Sequence, residues 1–368
     1  MKINKQTILF LLLIIIAVIS YIIFPQFERE DFSTSNIEEI SSGIKKSSTT
    51  TTTTIKTLDQ ENNDPVEPEF FEKSIYDTLL INNKTTRIDT IFDAYLIIGS
   101  DQRSNSTSLS RGFAEGSRAD VIMIFLLDKE SIPTIVSLPR DLLIKDPCTE
   151  NIQRINATFQ NNDCGTAAEN LSAVILNITG LKINHFVKFN FEGFEKIIDS
   201  FGGIEVCVDE TQREGYSFEI QKGCNVLNGE IALNWVVSRN TEILVGDKIT
   251  DSNGDDISEW KPMTGVSDLT RVRKQQLVTL SLMKEVSNFD SFNEFLQFVN
   301  ALEDAFTIDK NISIFQASEL LWSFRNIDFE SIKKLTVPTY NYTTENNAQV
   351  LILDDNFYSY LSVNGVIK

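Results

Sequence analysis

Three short apolar runs decide the fold: AYLIIGS at 94–100, VIMIFLL at 121–127 and TIVSLPRD at 134–141. Each has strand length and ends in polar or turn residues, as strands buried on both faces of a sheet do. Helical patterns alternate with such runs further on. Thr166 and Glu169 form a capping-box pair, Leu171, Val174, Ile175 and Ile178 recur at helical spacing, and Gly180 stands where a helix should stop. Strand-like HFVKFN (185–190), helix-like FEGFEKIIDSF (191–201), a Gly202–Gly203 break and strand-like IEVCV (204–208) follow. Helix patterns return from Asn228 to Arg239 and from Asp268 to about Val286, where Leu269, Val272, Leu277 and Leu280 are assigned to the apolar side. Two more helices are expected in 292–306 and 313–324, and strands in 332–338 and 350–355. The pattern predicts an α/β fold: a layered α-β-α domain with a central mixed sheet.

Upstream, Thr7–Phe24 is almost wholly apolar, with Lys2 and Lys5 before it and Glu28, Glu30 and Asp31 after it. Roughly 17 to 25 such residues cross a hydrocarbon slab, and the flanking charges place the N-terminus in the cytoplasm. A cleaved signal peptide is the competing reading, but no small-x-small cleavage site follows the apolar core. The predicted organisation is therefore a cytoplasmic tail (1–6), a single transmembrane helix (7–24), a flexible extracytoplasmic linker (25–90) and a catalytic domain (91–368), held at the cell membrane outside the cytoplasm. The linker is assigned from its Ser, Thr, Asn and Glu content, with a short helix expected near Phe70–Leu80.

Export permits disulfides. The spacings of Cys148, Cys164, Cys207 and Cys224 fit neither a zinc ribbon nor a CxxC redox pair. Of the three connectivities, Cys148–Cys164 and Cys207–Cys224 close the shortest loops, and free buried thiols are the alternative. The formal net charge of −19 excludes a broad basic face and with it nucleic-acid binding.

Against that negative background, arginines and aspartates recur at the ends of the apolar runs: Asp101 and Arg103, Arg118 and Asp120, Arg140 and Asp141, Arg239, and Asp268 and Arg271. A guanidinium fork suits phosphate oxygens, and several converging forks define an anion site. Taken singly, each arginine reads better as a surface or ion-pair residue than as a phosphate ligand.

In order, the fragments IIGSDQR (97–103), RADVIMIF (118–125), SLPRDLLI (137–144), RINATF (154–159), FEGFEKIIDSFGGIEV (191–206), LNGEIALNWVVSR (227–239) and DLTRVRKQQ (268–276) resemble the LytR-CpsA-Psr family of bacterial cell-wall glycopolymer ligases. The resemblance runs from about Asp93 through Gln276, and more loosely to Asp354. It implies transfer of a phosphoglycan from a polyprenyl-pyrophosphate carrier to a peptidoglycan hydroxyl, with magnesium, or manganese in its place, as the ion. By that resemblance Asp101 and Asp120 take metal and pyrophosphate, and with Arg140 they form the catalytic set. Arg103, Arg118, Arg140, Arg239 and Arg271 surround the diphosphate, Asn156 and Gln275 add neutral contacts, and Asp268 orients Arg239 or Arg271. Hydrolysis of polyprenyl pyrophosphate and a non-enzymatic glycan-binding role are the alternatives.

Two positions depart from the family pattern. Val237 and Lys274 stand where arginines are common, so one guanidinium is lost and another becomes a lysine without the fork. The lone histidine, His185, reads as structural. Asp251, Asn253, Asp255 and Asp256 resemble the start of a calcium loop, but Pro262 occupies the position of the closing glutamate, so Asn240–Ser267 reads as a solvated acidic insertion.

Overall fold

The computed structural model describes residues 28–43, 87–88, 92–100, 118–127, 133–263, 268–291, 305–312, 328–344, 346–354 and 357–367. In chain order these form β1 (Glu28–Glu30), α1 (Thr34–Ser41), β2 (Asp93–Ser100), β3 (Ala119–Leu127), β4 (Thr134–Ser137), β5 (Leu143–Lys145) and β6 (Ile152–Arg154). A 3-10 turn at Ile155–Thr158 leads to α2 (Ala167–Thr179), β7 (His185–Asn190), α3 (Phe191–Ser200), β8 (Ile204–Val208), β9 (Gln212–Glu214), β10 (Phe218–Ile220) and β11 (Gly223–Leu227). The remainder comprises α4 (Gly229–Val237), β12 (Glu242–Val245), β13 (Glu259–Pro262), α5 (Asp268–Ser287), β14 (Phe306–Asp309), β15 (Lys333–Thr336), β16 (Thr339–Thr343), β17 (Gln349–Leu353) and α6 (Phe357–Val363).

Seven strands build the main sheet in the order β1-β14-β7-β2-β3-β4-β15. It is mixed, as expected: β2–β7 and β4–β15 run parallel, while β2–β3, β3–β4 and β14–β7 run antiparallel. Strand side chains alternate between the two faces. Leu96, Ile98, Ile122, Ile124 and Val136 join one core with Leu171, Val174 and Ile175 of α2 and Phe357 and Leu361 of α6. Tyr95, Ile97, Met123, Phe125 and Ile135 meet Leu280 and Met283 of α5 on the other side. Helices thus cover both faces.

Local signals for α2 are all realised. Thr166 Oγ1 accepts the Glu169 N–H at 3.3 Å, Glu169 Oε2 accepts the Thr166 N–H at 3.0 Å, and Gly180 closes the helix at φ +73°. The same Glu169 reaches into the region assigned to the linker: its carboxylate accepts the Ser33 N–H at 2.7 Å and the Asn36 side-chain amide at 2.7 Å. Residues 28–41 are therefore part of the folded domain, with β1 in the main sheet and Ile37 and Ile40 buried. Their polar composition hid this, because two buried isoleucines and one edge strand suffice to dock a short segment. The expected anchor (7–24), the expected helix near 70–80, residues 101–117, most of 292–306 and all of 313–324 lie outside the described residues. Among the described residues no helix is long and apolar enough to cross a membrane.

Both disulfides join the pairs expected from loop length, Cys148–Cys164 and Cys207–Cys224, the second linking directly opposed residues of β8 and β11. His185 is structural, its Nδ1 lying 3.1 Å from the fully buried Asp309 carboxylate and its ring stacked on Tyr95. The acidic insertion is largely exposed, as expected, but it is not all loop. It supplies β12 and β13, which extend β9 and β10 into a four-stranded sheet. Arg213 clamps that sheet, its guanidinium 3.8 Å from the Trp260 ring centre and bonded to Glu242 and Asp256. Asp251, from the calcium-like stretch, spends its Oδ1 on the backbone of Asn253 and Asp255.

Helix α5 packs differently from its expected face. Leu277 is exposed, and Val278 is buried in its place with Arg271, Lys274 and Gln276. Gln276 bonds the Ser137 hydroxyl at 2.8 Å and the Leu335 carbonyl at 3.0 Å, fastening α5 to β4 and β15. Lys274 donates to Thr241 Oγ1 at 2.6 Å, and Thr241 in turn pairs with the Ser238 hydroxyl at 2.6 Å, so a buried ammonium holds the turn after α4.

Two stability predictions follow from this packing. Gly229 opens α4 against the backbone of α3, where an added Cβ would sit 2.4 Å from the Glu195 carbonyl oxygen. Gly229→Ala should cost ~1–3 kcal/mol, read as a lowered urea midpoint with an unchanged slope. Burial, with Arg271 adding to it and Glu214 opposing, pulls Lys274 from 10.5 down to about 8. Below pH 8 both folded and unfolded chains carry this proton; between 8 and 10.5 only the unfolded chain does. Wild-type stability relative to Lys274→Met should therefore rise across that window, by up to roughly 3 kcal/mol, in urea melts at stepped pH.

Candidate active site

Four separate chain segments meet at Asp141. The turn after β4 is fixed from both sides: the Leu142 N–H donates to the Pro139 carbonyl, the Asn156 N–H to that of Arg140 at 3.3 Å, and the Leu351 N–H to that of Asp141 at 3.0 Å. Strand β6 ends at Arg154, opposite Leu143. The first turn of α5 presents Arg271, and Asp120 is the second residue of β3.

Asp141 Oδ2 lies 3.3 Å from Arg271 Nη2 and 3.8 Å from Arg140 Nε, while its Oδ1 lies 3.2 Å from Arg154 Nε. Arg140 Nη1 also donates to Asp120 Oδ1. These groups are sheltered, with side-chain exposures of 9% for Arg271, 12% for Arg140 and 18% for Asp120. Arg154 keeps 41% and opens the cluster to solvent. Burial pulls Arg271 down to about 10, with Arg140 and Arg239 pushing the same way and Asp141 and Asp120 opposing. Arg140 and Arg239 thus act on Arg271 across two carboxylates, with Arg154 on the open side of Asp141. Arginines crowded around a partly sheltered pair of carboxylates favour an incoming anion, because each added negative oxygen relieves repulsion among them.

Of the predicted residues, Asp120, Arg140 and Arg271 are brought together. Arg239 lies just past α4, close enough to weigh on Arg271, and is exposed. Arg118 is exposed at the entry to β3. Asn156 is buried and serves the cluster through its backbone, holding the Arg140 carbonyl. Gln275 is half-buried, and the polar contact to the sheet comes from its neighbour Gln276. Asp268 opens α5, with its side chain outside the described residues, as are Asp101 and Arg103. Asp141 bonds Arg271 at 3.3 Å, and the orienting role expected of Asp268 lies outside the described side chains. Sequence reasoning missed the roles of Asp141 and Arg154. The signal for Asp141 was its place beside Arg140, and that for Arg154 its place at the head of the RINATF fragment.

Lys274 points inward to Thr241, away from a phosphate-binding task. Val237 lines a pocket of about 300 Å³ with Glu214, Asn234 and Arg239. No group of three or more His, Cys, Asp or Glu side chains able to hold a metal occurs among the described residues. Asp120 offers one carboxylate beside Arg140, a sparse set that suits a hard ion completing its shell with substrate oxygens rather than an all-protein cage.

Curated relatives and solved structures agree with this architecture. The chain is 24% identical over 298 residues to the probable cell wall biosynthesis protein LcpB of Corynebacterium glutamicum, covering 76% of this chain and 64% of that protein. It is 24% identical over 200 residues to the polyisoprenyl-teichoic acid–peptidoglycan teichoic acid transferase TagU of Enterococcus faecalis, covering 54% of this chain and 57% of the relative. The matched stretches thus span less than two thirds of either relative. The fold matches a LytR-Csp2A-Psr enzyme from Actinomyces oris with a TM-score of 0.56 at 22% identity, over 77% of this chain and 96% of that one. TagT bound to LI-WTA matches with a TM-score of 0.53 at 15% identity, over 77% and 94%. The model of the LytR_cpsA_psr family matches residues 43–248 and 260–362, and the chain belongs to that family.

Proposed function

We propose that this chain is a membrane-anchored phosphotransferase that moves a phosphoglycan from a polyprenyl-pyrophosphate carrier onto a hydroxyl of peptidoglycan. The observation that carries the reading is the Asp141 hub, which gathers Arg140, Arg154 and Arg271 beside Asp120 within a strongly acidic chain. Relatives named as teichoic acid transferases add support.

In this reading the acceptor oxygen attacks the glycan-bearing phosphorus, the P–O bond to the bridging oxygen breaks, and polyprenyl phosphate leaves with the bridging oxygen. The product is a phosphodiester, and the hydroxyl proton passes to a carboxylate, Asp120 or Asp101. Arg140 and Arg271 neutralise charge on the non-bridging oxygens as the leaving group forms, and positioning and electrostatics do most of the work. Asp141 holds the guanidinium groups in place and takes no part in bond making. Magnesium would be held by Asp120 and Asp101 together with phosphate oxygens, and would supply further charge neutralisation. Anchoring by residues 7–24 would keep enzyme and carrier in the same membrane plane.

Incubating the full chain with magnesium, a lipid-pyrophosphate glycan and peptidoglycan oligomers tests the reading. Wild type should form glycan-linked peptidoglycan, and Arg140→Ala should lower kcat/KM by about a hundredfold to a thousandfold, as removal of one transition-state donor does. Equal product from both proteins would remove Arg140 from the mechanism. Released phosphoglycan with no linked product would replace transfer by hydrolysis.

A further inference from the structure

The folded domain begins close to the expected anchor. Residues 25–90 have the composition of a long spacer, yet β1 starts at Glu28 and the segment after it is tied down at several points. Glu28–Glu30 pair with β14 at the edge of the main sheet, Glu30 Oε1 accepts from Lys188 Nζ at 2.8 Å, and the Lys310 N–H donates to the Glu30 carbonyl at 3.0 Å. The Phe32 ring lies 5.1 Å from that of Phe186, and the Phe32 carbonyl accepts from the Asn311 amide at 2.7 Å. Only the residue steps from Phe24 to Glu28 separate the apolar stretch from this docked strand. Whatever path those steps take, they span at most about 14 Å.

Strand directions fix which end of the sheet lies nearest that tether. β1 runs parallel to β14, β14 antiparallel to β7, and β7 parallel to β2. Glu28 therefore stands towards the end of the sheet where β7 finishes at Asn190 and β2 at Ser100. β3 starts at that end, with Ala119 opposite Ser100, and β4 runs towards it, delivering Arg140 and Asp141 just beyond its last residue. The chain thus departs for the apolar stretch from the rim that carries the arginine cluster. Asp120 stands four strand spacings from β1 and within two residues of the level of Glu28, so at ~4.8 Å per spacing and ~3.4 Å per residue the two lie within about 26 Å. Strand twist fans this rim without exchanging the two ends of the sheet.

Charge separates the rim from the flank beside β1. That flank is settled by its own pairs, Glu30–Lys188, Asp31–Lys310 and Glu38–Lys182, with the exposed Arg29 offset by Glu39, so it offers a lipid layer no net attraction. The rim carries Arg140 and Arg271 and opens through Arg154 and Arg239, cations that suit anionic headgroups.

We propose that the arginine-bearing rim is the face the domain lays on the bilayer, with the anionic headgroup layer as its partner. The proposal rests on the membrane-anchored reading and deepens it: the carrier diphosphate is met at headgroup depth, and the acceptor hydroxyl is met at the membrane face and not out in the wall.

The full chain in phosphatidylglycerol–phosphatidylethanolamine vesicles, with a short-range metal-chelate quencher on some of the headgroups, reads this orientation without turnover. A fluorescent non-natural residue is placed in turn at Glu192, exposed beside the rim, and at Asp93, exposed at the far end of β2 and about 24 Å from Ser100 along the strand. Quenching should be severalfold stronger at position 192 than at position 93. A twenty-residue Gly-Ser spacer between Gln26 and Phe27 adds a coil reach of roughly 25 Å and should bring quenching at position 192 down to the level at position 93. Equal quenching at both positions without the spacer, stronger quenching at position 93, or indifference of position 192 to the spacer would overturn the proposal. A chain that does not float with the vesicles would remove the anchor and the proposal together. Failure of the phosphotransfer reading appears separately, as absent product from a chain whose rim is quenched as expected.

Discussion

Asp141 accepts charge from three arginines that arrive from a strand-end turn, a short edge strand and the first turn of a long helix. Without that carboxylate, Arg140 and Arg271 would be like charges brought close together and sheltered from water. Removing one member of a sheltered ion cluster leaves the others uncompensated, a penalty of about 3–5 kcal/mol for fully buried pairs and less for one open at Arg154. The backbone around Asp141 is held accordingly, by bonds from the 3-10 turn and from β17. Cores, disulfides and helix caps position those elements so that this one side chain can gather them.

The same constraint reconciles a net charge of −19 with an anion site. Long-range charge repels phosphates, and screening confines that repulsion to about a Debye length, ~8 Å at physiological salt. Inside a sheltered cluster the local sum decides. Arg140 and Arg271 are sheltered beside Asp120 and Asp141, Arg154 and Arg239 stand at the open edge, and burial first, then the neighbouring Arg140, lowers the Arg271 pKa. A diphosphate entering there exchanges repulsion among guanidinium groups for charge-assisted hydrogen bonds, which are among the stronger polar contacts available to a protein.

Much of the scaffold was legible because its signals are local. The capping box of α2, the apolar strand runs and the short-loop disulfides each depend on residues close in sequence, and each is realised. What escaped depends on tertiary partners. Residues 28–41 read as linker because their docking relies on Glu169, more than a hundred residues away. The acidic insertion reads as loop because Arg213, a residue of β9, stabilises β12 and β13 through Glu242, Asp256 and the Trp260 ring. Arg271 was legible as an arginine at a helix start, whereas the role of Asp141 was not, since an aspartate beside an arginine looks like an ordinary surface pair until two further arginines arrive.

The two departures from the family pattern turn out to be physically unlike. Lys274 keeps a positive charge but directs it into the protein, where Trp235 and Phe218 surround it and Thr241 takes its hydrogen bond. Its compact ammonium at the end of a flexible stem can reach a single hydroxyl in a tight space, a task that a wide planar fork with five donors performs poorly. Lysine here exchanges phosphate contact for control of the turn bearing Arg239. Val237 lies on the last turn of α4, one residue before that turn begins, and faces the pocket on Arg239's side. Both changes therefore act on the setting of the same arginine, one from behind and one from beside it.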